Sequence, residues 1–269
     1  MPELPEVETV RRILEKHVIG KKISSVTCYY EPIIHENLNH FKSVVIGQTI
    51  RSMARYGKHL VFLLDTSVMI IHLRMEGKFY IKKNEPKLKH EHVIFGFEDS
   101  STLRYHDVRK FGTIHLRTLE NYQKTYPLSE VGPEPKDADY KQIYELLHRK
   151  HIAIKTALLD QHIVSGLGNI YVDESLFLSA IKPTRMTDQL TKKDVKSLLE
   201  SATKVLARAI ALGGSTIRSY TASLGVHGRF QNELNVHTKA GQPCSRCGSI
   251  IVKTKVGGRG TYACPTCQR

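Results

Sequence analysis

Two constellations in this 269-residue sequence are made of residue types that do chemistry. The first is the opening MPELPEVETVRR. Pro2 and Pro5 carry the fixed φ of a first helical turn, and Glu3, Glu6 and Glu8 put carboxylates where a helix dipole is positive. Leu4, Val7 and Val10 follow at helical spacing, so one face of this terminus is buried. With Met1 removed, as a small second residue generally permits, Pro2 has a free secondary amine. Its reference pKa of about 7.7–8.0 leaves a useful fraction unprotonated near neutrality. A secondary amine that adds to a sugar C1′ gives an iminium with no N–H proton to lose, a lasting electron sink. The neighbouring Glu3 could then donate a proton to an opening ribose ring. The same residues also describe a well-capped helix with no chemistry, and taken alone they do not decide between the two.

The second constellation is Cys244, Cys247, Cys264 and Cys267, spaced C-x2-C-x16-C-x2-C. Each pair is a tight turn whose thiolates converge, and two pairs complete a closed tetrahedral Zn²⁺ site of the structural kind. Between them, Ile250 to Lys255 and Thr261 to Cys264 read as strands joined at Gly257-Gly258-Arg259-Gly260. An arginine at such a tip can reach a phosphate or simply be solvated. In QHIVSGLGNIYVDESLF, Gly166, Gly168 and Asn169 open a helix, which suits either a phosphate or a tight helix–helix connection. RYHDVRKFG ends a strand with Arg109, Lys110 and Phe111, a cationic and aromatic set suited to stacking or wedging into nucleic acid, although Phe111 could equally be core.

These groups need elements to hold them. Residues 22–117 are dominated by short β-type runs: Ile23 to Tyr30, Val44 to Met53, Leu60 to Leu64, Val68 to Met75, Lys78 to Ile81, His92 to Phe97 and Ser101 to Tyr105. Their spacing predicts an antiparallel sandwich or flattened barrel with the first helix packed against it. The loop Lys82 to His92 is charged and solvated. VGPEPKDAD, Val131 to Asp139, reads as a linker. Helical periodicity follows from Tyr140 to Leu212, with Thr191 and Asp194 forming a capping box and Gly213-Gly214 closing the last helix. The expected domains are therefore 1–130, a linker at 131–139, 140–240, and a finger at 241–269.

Lys plus Arg number 40 against 26 Asp plus Glu, a formal net charge of +14 that favours a polyanionic partner, most simply nucleic acid. The most apolar stretch, Val68 to Ile71, is far too short to span a bilayer, and no signal peptide is visible, so a cytoplasmic protein is expected. Four of the five cysteines lie in the two pairs, unlike a secreted disulfide scaffold, and Cys28 reads as core. No heptad or apolar patch suggests anything but a monomer.

The PELPEVETVRR opening, YGKHL, HLRMEGKF, the D-x-R-K-F-G turn, GLGNIYVDE and the terminal GRGTYACPTCQR together closely resemble bacterial formamidopyrimidine-DNA glycosylases, across the whole chain. The resemblance implies an α+β multidomain protein: an N-terminal β-sandwich with a leading helix, a helical helix-two-turn-helix domain and a C-terminal zinc-finger hairpin holding one Zn²⁺. It implies a bifunctional glycosylase and abasic-site lyase acting on double-stranded DNA with oxidised purines. Pro2 would be the nucleophile on a flipped-out nucleotide, Glu3 the proton donor for base loss and ring opening, and Glu6 a support for the damaged nucleotide. Lys58 matches the family's proton donor in β-elimination, and Arg259 the finger arginine that grips phosphate and assists δ-elimination. Met75, Arg109 and Phe111 match the trio that fills the gap left by the flipped base, Arg109 facing the orphaned cytosine. His72, His90, Lys150, Lys155 and Asn169 match DNA-contacting positions. With six or so phosphates neutralised, affinity should fall on the order of a thousandfold between low and moderately high salt.

Two features depart from the family or say little. His237 and Lys239 stand where the family commonly has Tyr and Arg, and the loop 215–235, expected to cover the extruded base, carries no readable lesion preference. The rival expectations are an endonuclease VIII-like glycosylase for oxidised pyrimidines, against which the LPEVE opening and the trio speak, and a non-catalytic zinc-finger binder of damaged DNA, which would not need a free Pro2 amine.

Overall fold

A computed structural model describes residues 2–215 and 228–269. The greater part of the expected base-covering loop, 216–227, lies outside the described residues. The chain divides into two compact units. One runs to Ser129 and includes Ser215 and Gly228; the other comprises Glu130–Gly214 and Arg229–Arg269. Among the described residues no helix is long and apolar enough to cross a membrane.

The first unit opens with α1 (Leu4–Val18), whose Val7, Val10, Leu14 and Val18 all enter the core. After β1 (Ile23–Cys28) and α2 (Leu38–Val45) come β2 (Ser52–Tyr56), β3 (His59–Leu63), β4 (Ser67–His72), β5 (Lys78–Lys83), β6 (Glu91–Phe97), β7 (Ser101–His106) and β8 (Thr113–Thr118). They form two antiparallel four-stranded sheets, β1-β6-β7-β5 and β2-β3-β4-β8, so the expected sandwich is what the sequence builds. The inward residues Phe41, Phe62, Phe79 and Phe95 share one core with α1.

Two elements differ from expectation. The run Val44 to Met53 is not one strand: Val44 and Val45 end α2, and β2 starts only at Ser52. The Asn37 side chain accepts from the backbone N–H of Asn39 and His40, a cap that nucleates a helix through β-branched residues. The eighth strand, β8, was not expected, because its polar His115 and Arg117 break the apolar pattern around Ile114 and Leu116.

The second unit contains α3 (Tyr140–His148), α4 (Ile154–Leu158), α5 (Asn169–Leu178), α6 (Lys192–Ala211) and the hairpin β9 (Val252–Val256) and β10 (Arg259–Ala263). The expected cap of α6 is present: Asp194 N–H donates to Thr191 Oγ1 at 3.1 Å and Thr191 N–H to Asp194 Oδ2 at 2.9 Å. Gly213 and Gly214, at φ 75° and 82°, take the left-handed conformation that ends it. Residues 131–139 contain neither helix nor strand.

Candidate active site and nucleic-acid interface

The start of the first unit is unusually closed. Every residue from Pro2 to Val10 is buried, including Glu3, Glu6 and Glu8. Glu6 holds the turn from both sides: one oxygen accepts from Glu3 N–H at 2.9 Å and the other from Ser215 N–H at 2.7 Å. A backbone donor next to Pro2 is thereby fixed, which restricts where the proline nitrogen and the Glu3 carboxyl can go.

Glu8 carries that order to the next expected site. Burial pushes its carboxyl up, but hydrogen bonds from Arg11 and Arg12 and the charges of Arg11 and Arg55 outweigh burial and hold it at about 2. Arg55 donates Nε to Glu8 at 3.1 Å and Nη1 to the Gly57 carbonyl at 2.8 Å. Gly57 (φ 53°) and the buried Lys58 form the two-residue turn between β2 and β3. One ion pair therefore links the Pro2 helix to the Lys58 turn.

His72 is buried on β4, directly opposite His59 on β3, with ring centroids 4.7 Å apart, and His115 lies diagonally across on β8. Burial, then the nearby His59, Arg74, Lys58 and His115, keep His72 well below the usual imidazole range. Burial likewise brings His59 and His115 down to about 4. Arg74 N–H donates to His72 Nδ1 at 2.9 Å, which leaves Nε2 as the N–H donor of the neutral ring. A neutral donor suits a phosphate oxygen. His59 and His115 were not singled out in the sequence; their only signal is the position of each on the strand face that also carries His72.

Met75 is half-buried in the β4–β5 connection, and Arg109 and the 53% exposed Phe111 lie in the β7–β8 connection. The Arg109 guanidinium sits 4.8 Å from the Phe111 ring centroid. Phe111 is thus an exposed aromatic braced by a cation, not core. His90, at φ 68°, is half-buried, its ring 5.8 Å from that of His106 and its carbonyl accepting from Asp107 N–H.

In the second unit, Asn169 is the first residue of α5, entered through Gly168, and its Nδ2 donates to the Gly260 carbonyl at 3.0 Å. Lys150 is partly exposed, 3.7 Å from Asp160. Lys155, matched to a DNA-contacting position, is fully buried, with Nζ 2.7 Å from Asp173 and 2.9 Å from the Gly260 carbonyl. A buried ammonium must be paired, and Asp173 supplies the opposite charge. The work of Lys155 is to tie α4 and α5 to the residue after Arg259. Arg259 itself is exposed, and it is the first residue of β10, opposite Val256, instead of a turn residue; the turn is Gly257-Gly258. Asp173 also lies 2.8 Å from His237 Nδ1, and Glu174 accepts from the N–H groups of Asn235, Val236 and His237. His237, one of the departures from the family pattern, thus has a defined partner.

The Sγ atoms of Cys244, Cys247, Cys264 and Cys267 all lie within 4.8 Å of one another, with Cys244 to Cys267 at 3.9 Å and Cys247 to Cys264 at 3.5 Å. A tetrahedron with Zn–S bonds of about 2.3 Å has sulfur–sulfur edges of about 3.8 Å, so the set fits zinc. Arg246 and Cys267 N–H groups point at Cys244 and Cys264 Sγ at 3.4 Å, which favours thiolates.

Residues 1–114 match the formamidopyrimidine-DNA glycosylase N-terminal domain, 131–221 its H2TH domain, and 241–269 the zinc finger found in FPG and IleRS. The chain is 47% identical to the formamidopyrimidine-DNA glycosylase of Streptococcus mutans, with 100% of each chain covered, and 49% identical to that of Bacillus licheniformis, again over 100% of both. The chain belongs to the formamidopyrimidine-DNA glycosylase family. Its fold superposes on a Lactococcus lactis FPG mutant in complex with a Fapy-dG containing DNA, with a TM-score of 0.93, 45% identity and complete coverage of both chains. MutM in complex with carbocyclic 8-oxo-G containing DNA gives 0.92 and 44%, also with complete coverage. The α+β architecture, the glycosylase and lyase class and the single structural zinc of this family are those of the present chain.

Proposed function

We infer that this chain excises oxidised purines, 8-oxoguanine and formamidopyrimidines, from duplex DNA and then cuts the strand at the same site. The observation that carries the assignment of roles is the buried Pro2-Glu3 start, locked by Glu6 through Glu3 N–H and Ser215 N–H. With Met1 removed, the Pro2 nitrogen lone pair forms a bond to C1′ as the C1′–N9 bond breaks, and the base leaves with that electron pair and a proton from Glu3, which regains one from the proline nitrogen. Glu3 protonates O4′ as the ring opens, so the positive charge rests on the iminium nitrogen. The iminium acidifies C2′–H; that proton passes to the Glu3 carboxylate left by ring opening, a C2′–C3′ double bond forms, and the C3′–O bond breaks to release the 3′ phosphate. Lys58, tied to the same helix through Arg55 and Glu8, is the proton donor of this step. A second elimination expels the 5′ phosphate with Arg259 on the phosphate, and water then releases Pro2.

Met75, Arg109 and Phe111 fill the space the nucleotide vacates, Arg109 facing the cytosine left behind, and His72, His90, Lys150 and Asn169 contact the backbone. Lys155 supports Asn169 and Arg259 from beneath. Zinc holds the hairpin and takes no part in bond making. The +14 charge and a DNA substrate support association with the bacterial nucleoid.

On a duplex with 8-oxoguanine opposite cytosine, the chain should leave phosphates at both ends of a one-nucleotide gap. Base release with an uncut strand would remove the Pro2 route.

A further inference from the structure

The two connections that carry Met75 and the Arg109–Phe111 pair are the crossovers between the sheets. β4 leaves one sheet at His72 and β5 enters the other at Lys78; β7 leaves at His106 and β8 enters at Thr113. Their ends are paired on both sides, His72 with Thr113 and Lys78 with His106, so the crossovers run side by side.

One side chain lies between them. Tyr105 is fully buried on β7, its ring 5.3 Å from that of Phe79. A Cβ at Gly77, which ends the Met75 crossover, would overlap the Tyr105 hydroxyl oxygen and fall 2.6 Å from the Leu73 carbonyl. One at Gly112, which ends the Phe111 crossover, would overlap the same hydroxyl oxygen. Both crossovers therefore close onto a single oxygen atom, and only glycine permits either approach.

That hydroxyl donates to Asp107 Oδ2 at 3.3 Å. Asp107 is fully buried, and its carboxylate gathers the loop: Oδ2 accepts from Phe111 and Gly112 N–H, and Oδ1 from Arg109 N–H, each at 2.9 Å. Lys110 between them is held at φ 58°, a left-handed conformation that a lysine adopts only when its surroundings impose it. A rigid carboxylate thus sets the backbone from which Arg109 and Phe111 project, and the tyrosine oxygen joins that backbone to the crossover bearing Met75.

We propose that Tyr105 and Asp107 are positioning residues that fix the spacing of Met75 from Arg109 and Phe111, and so set how sharply Arg109 distinguishes the base opposite the flipped nucleotide. This rests on the reading of those three side chains as the group that fills the gap. Neither residue touches DNA; both act through the backbone of the two crossovers.

The test is single-turnover excision of 8-oxoguanine opposite cytosine and opposite adenine by the full chain, comparing Tyr105→Phe, Asp107→Asn, Arg109→Ala and the Tyr105→Phe/Arg109→Ala double variant. Tyr105→Phe deletes one oxygen and keeps the ring in its pocket. Asp107→Asn keeps one carbonyl acceptor and turns the other into a donor facing N–H groups. The ratio of the cytosine rate to the adenine rate should fall roughly five-fold or more in each single variant, and the double variant should show no further fall below Arg109→Ala. A loss of folded protein lowers both rates alike and leaves the ratio intact, so an unchanged ratio in Tyr105→Phe alongside a reduced one in Arg109→Ala overturns the positioning role. An unchanged ratio in Arg109→Ala as well overturns the gap-filling reading on which it rests.

Discussion

On β3, β4 and β8, three histidines stand on one sheet face and are kept neutral by burial and by one another, with Lys58, Arg74 and Arg117 supplying the positive charge around them. On α5 the opposite device is used. Asp173 and Glu174 are buried and hydrogen-bond donors are brought to them: the Lys155 ammonium and a His237 ring nitrogen to the first, three backbone N–H groups to the second. Both arrangements face the problem of ordering groups meant for a polyanion. The first removes charge and leaves donors; the second pairs charge and exports order to the hairpin that carries Arg259. The first should therefore respond to protons, and the second to loss of a partner or of the metal.

The largest effect should come from removing zinc. Structural zinc sites contribute on the order of 10 kcal/mol to small folded units. A chelator should strip hydrogen-exchange protection from β9, β10 and the Asn235–His237 segment while β3, β4 and β8 keep theirs. Equal loss in both units would show that the metal supports the whole chain.

Next in size is Asp173→Ala, which leaves the Lys155 ammonium buried without its carboxylate. Breaking such a pair costs about 3–5 kcal/mol, to be read by denaturant unfolding of the second unit. A cost under about 1 kcal/mol would mean that the network is not what holds the hairpin.

Smaller, and confined to the first unit, is an acid response. His59 and His115 bind protons less readily folded, at about 4, than unfolded, at 6.5. Between those limits the unfolded chain takes up more protons, so their contribution is complete above pH 6.5 and declines as pH falls toward 4, by about 3 kcal/mol each at most. Unfolding of the first unit followed across that window should show stability rising with pH, and His115→Gln should flatten the slope. A flat profile in the unsubstituted chain would contradict burial of neutral imidazoles.

The legible parts of this molecule are those fixed by local pattern. The Pro2–Val10 opening reads as a buried capped helix because proline position and apolar period agree, and the four cysteines announce their metal by spacing alone. α2 was hidden because Val44, Val45 and Ile46 favour a strand by type, while a single capping side chain on Asn37 decided the helix. β8 was hidden because the face carrying His115 and Arg117 is polar by type yet contributes to a buried imidazole row. The family resemblance alone assigns Lys155 to DNA; its pairing with Asp173 is not legible in the sequence, because the two are 18 residues apart and meet only through the fold of α4 against α5. Tyr105 and Asp107 lie within RYHDVRKFG, but the sequence does not show what they do, since the two glycines that close on the tyrosine oxygen come from separate crossovers.

The most direct test of the Pro2 chemistry is borohydride trapping on a duplex containing 8-oxoguanine opposite cytosine, with the processed N-terminus verified by mass spectrometry and Pro2→Gly as the control. A reduced covalent adduct mapping to the Pro2 nitrogen is the expected result. An adduct mapping to Lys58 or another lysine, or no adduct from correctly processed protein that still binds the duplex, would contradict it.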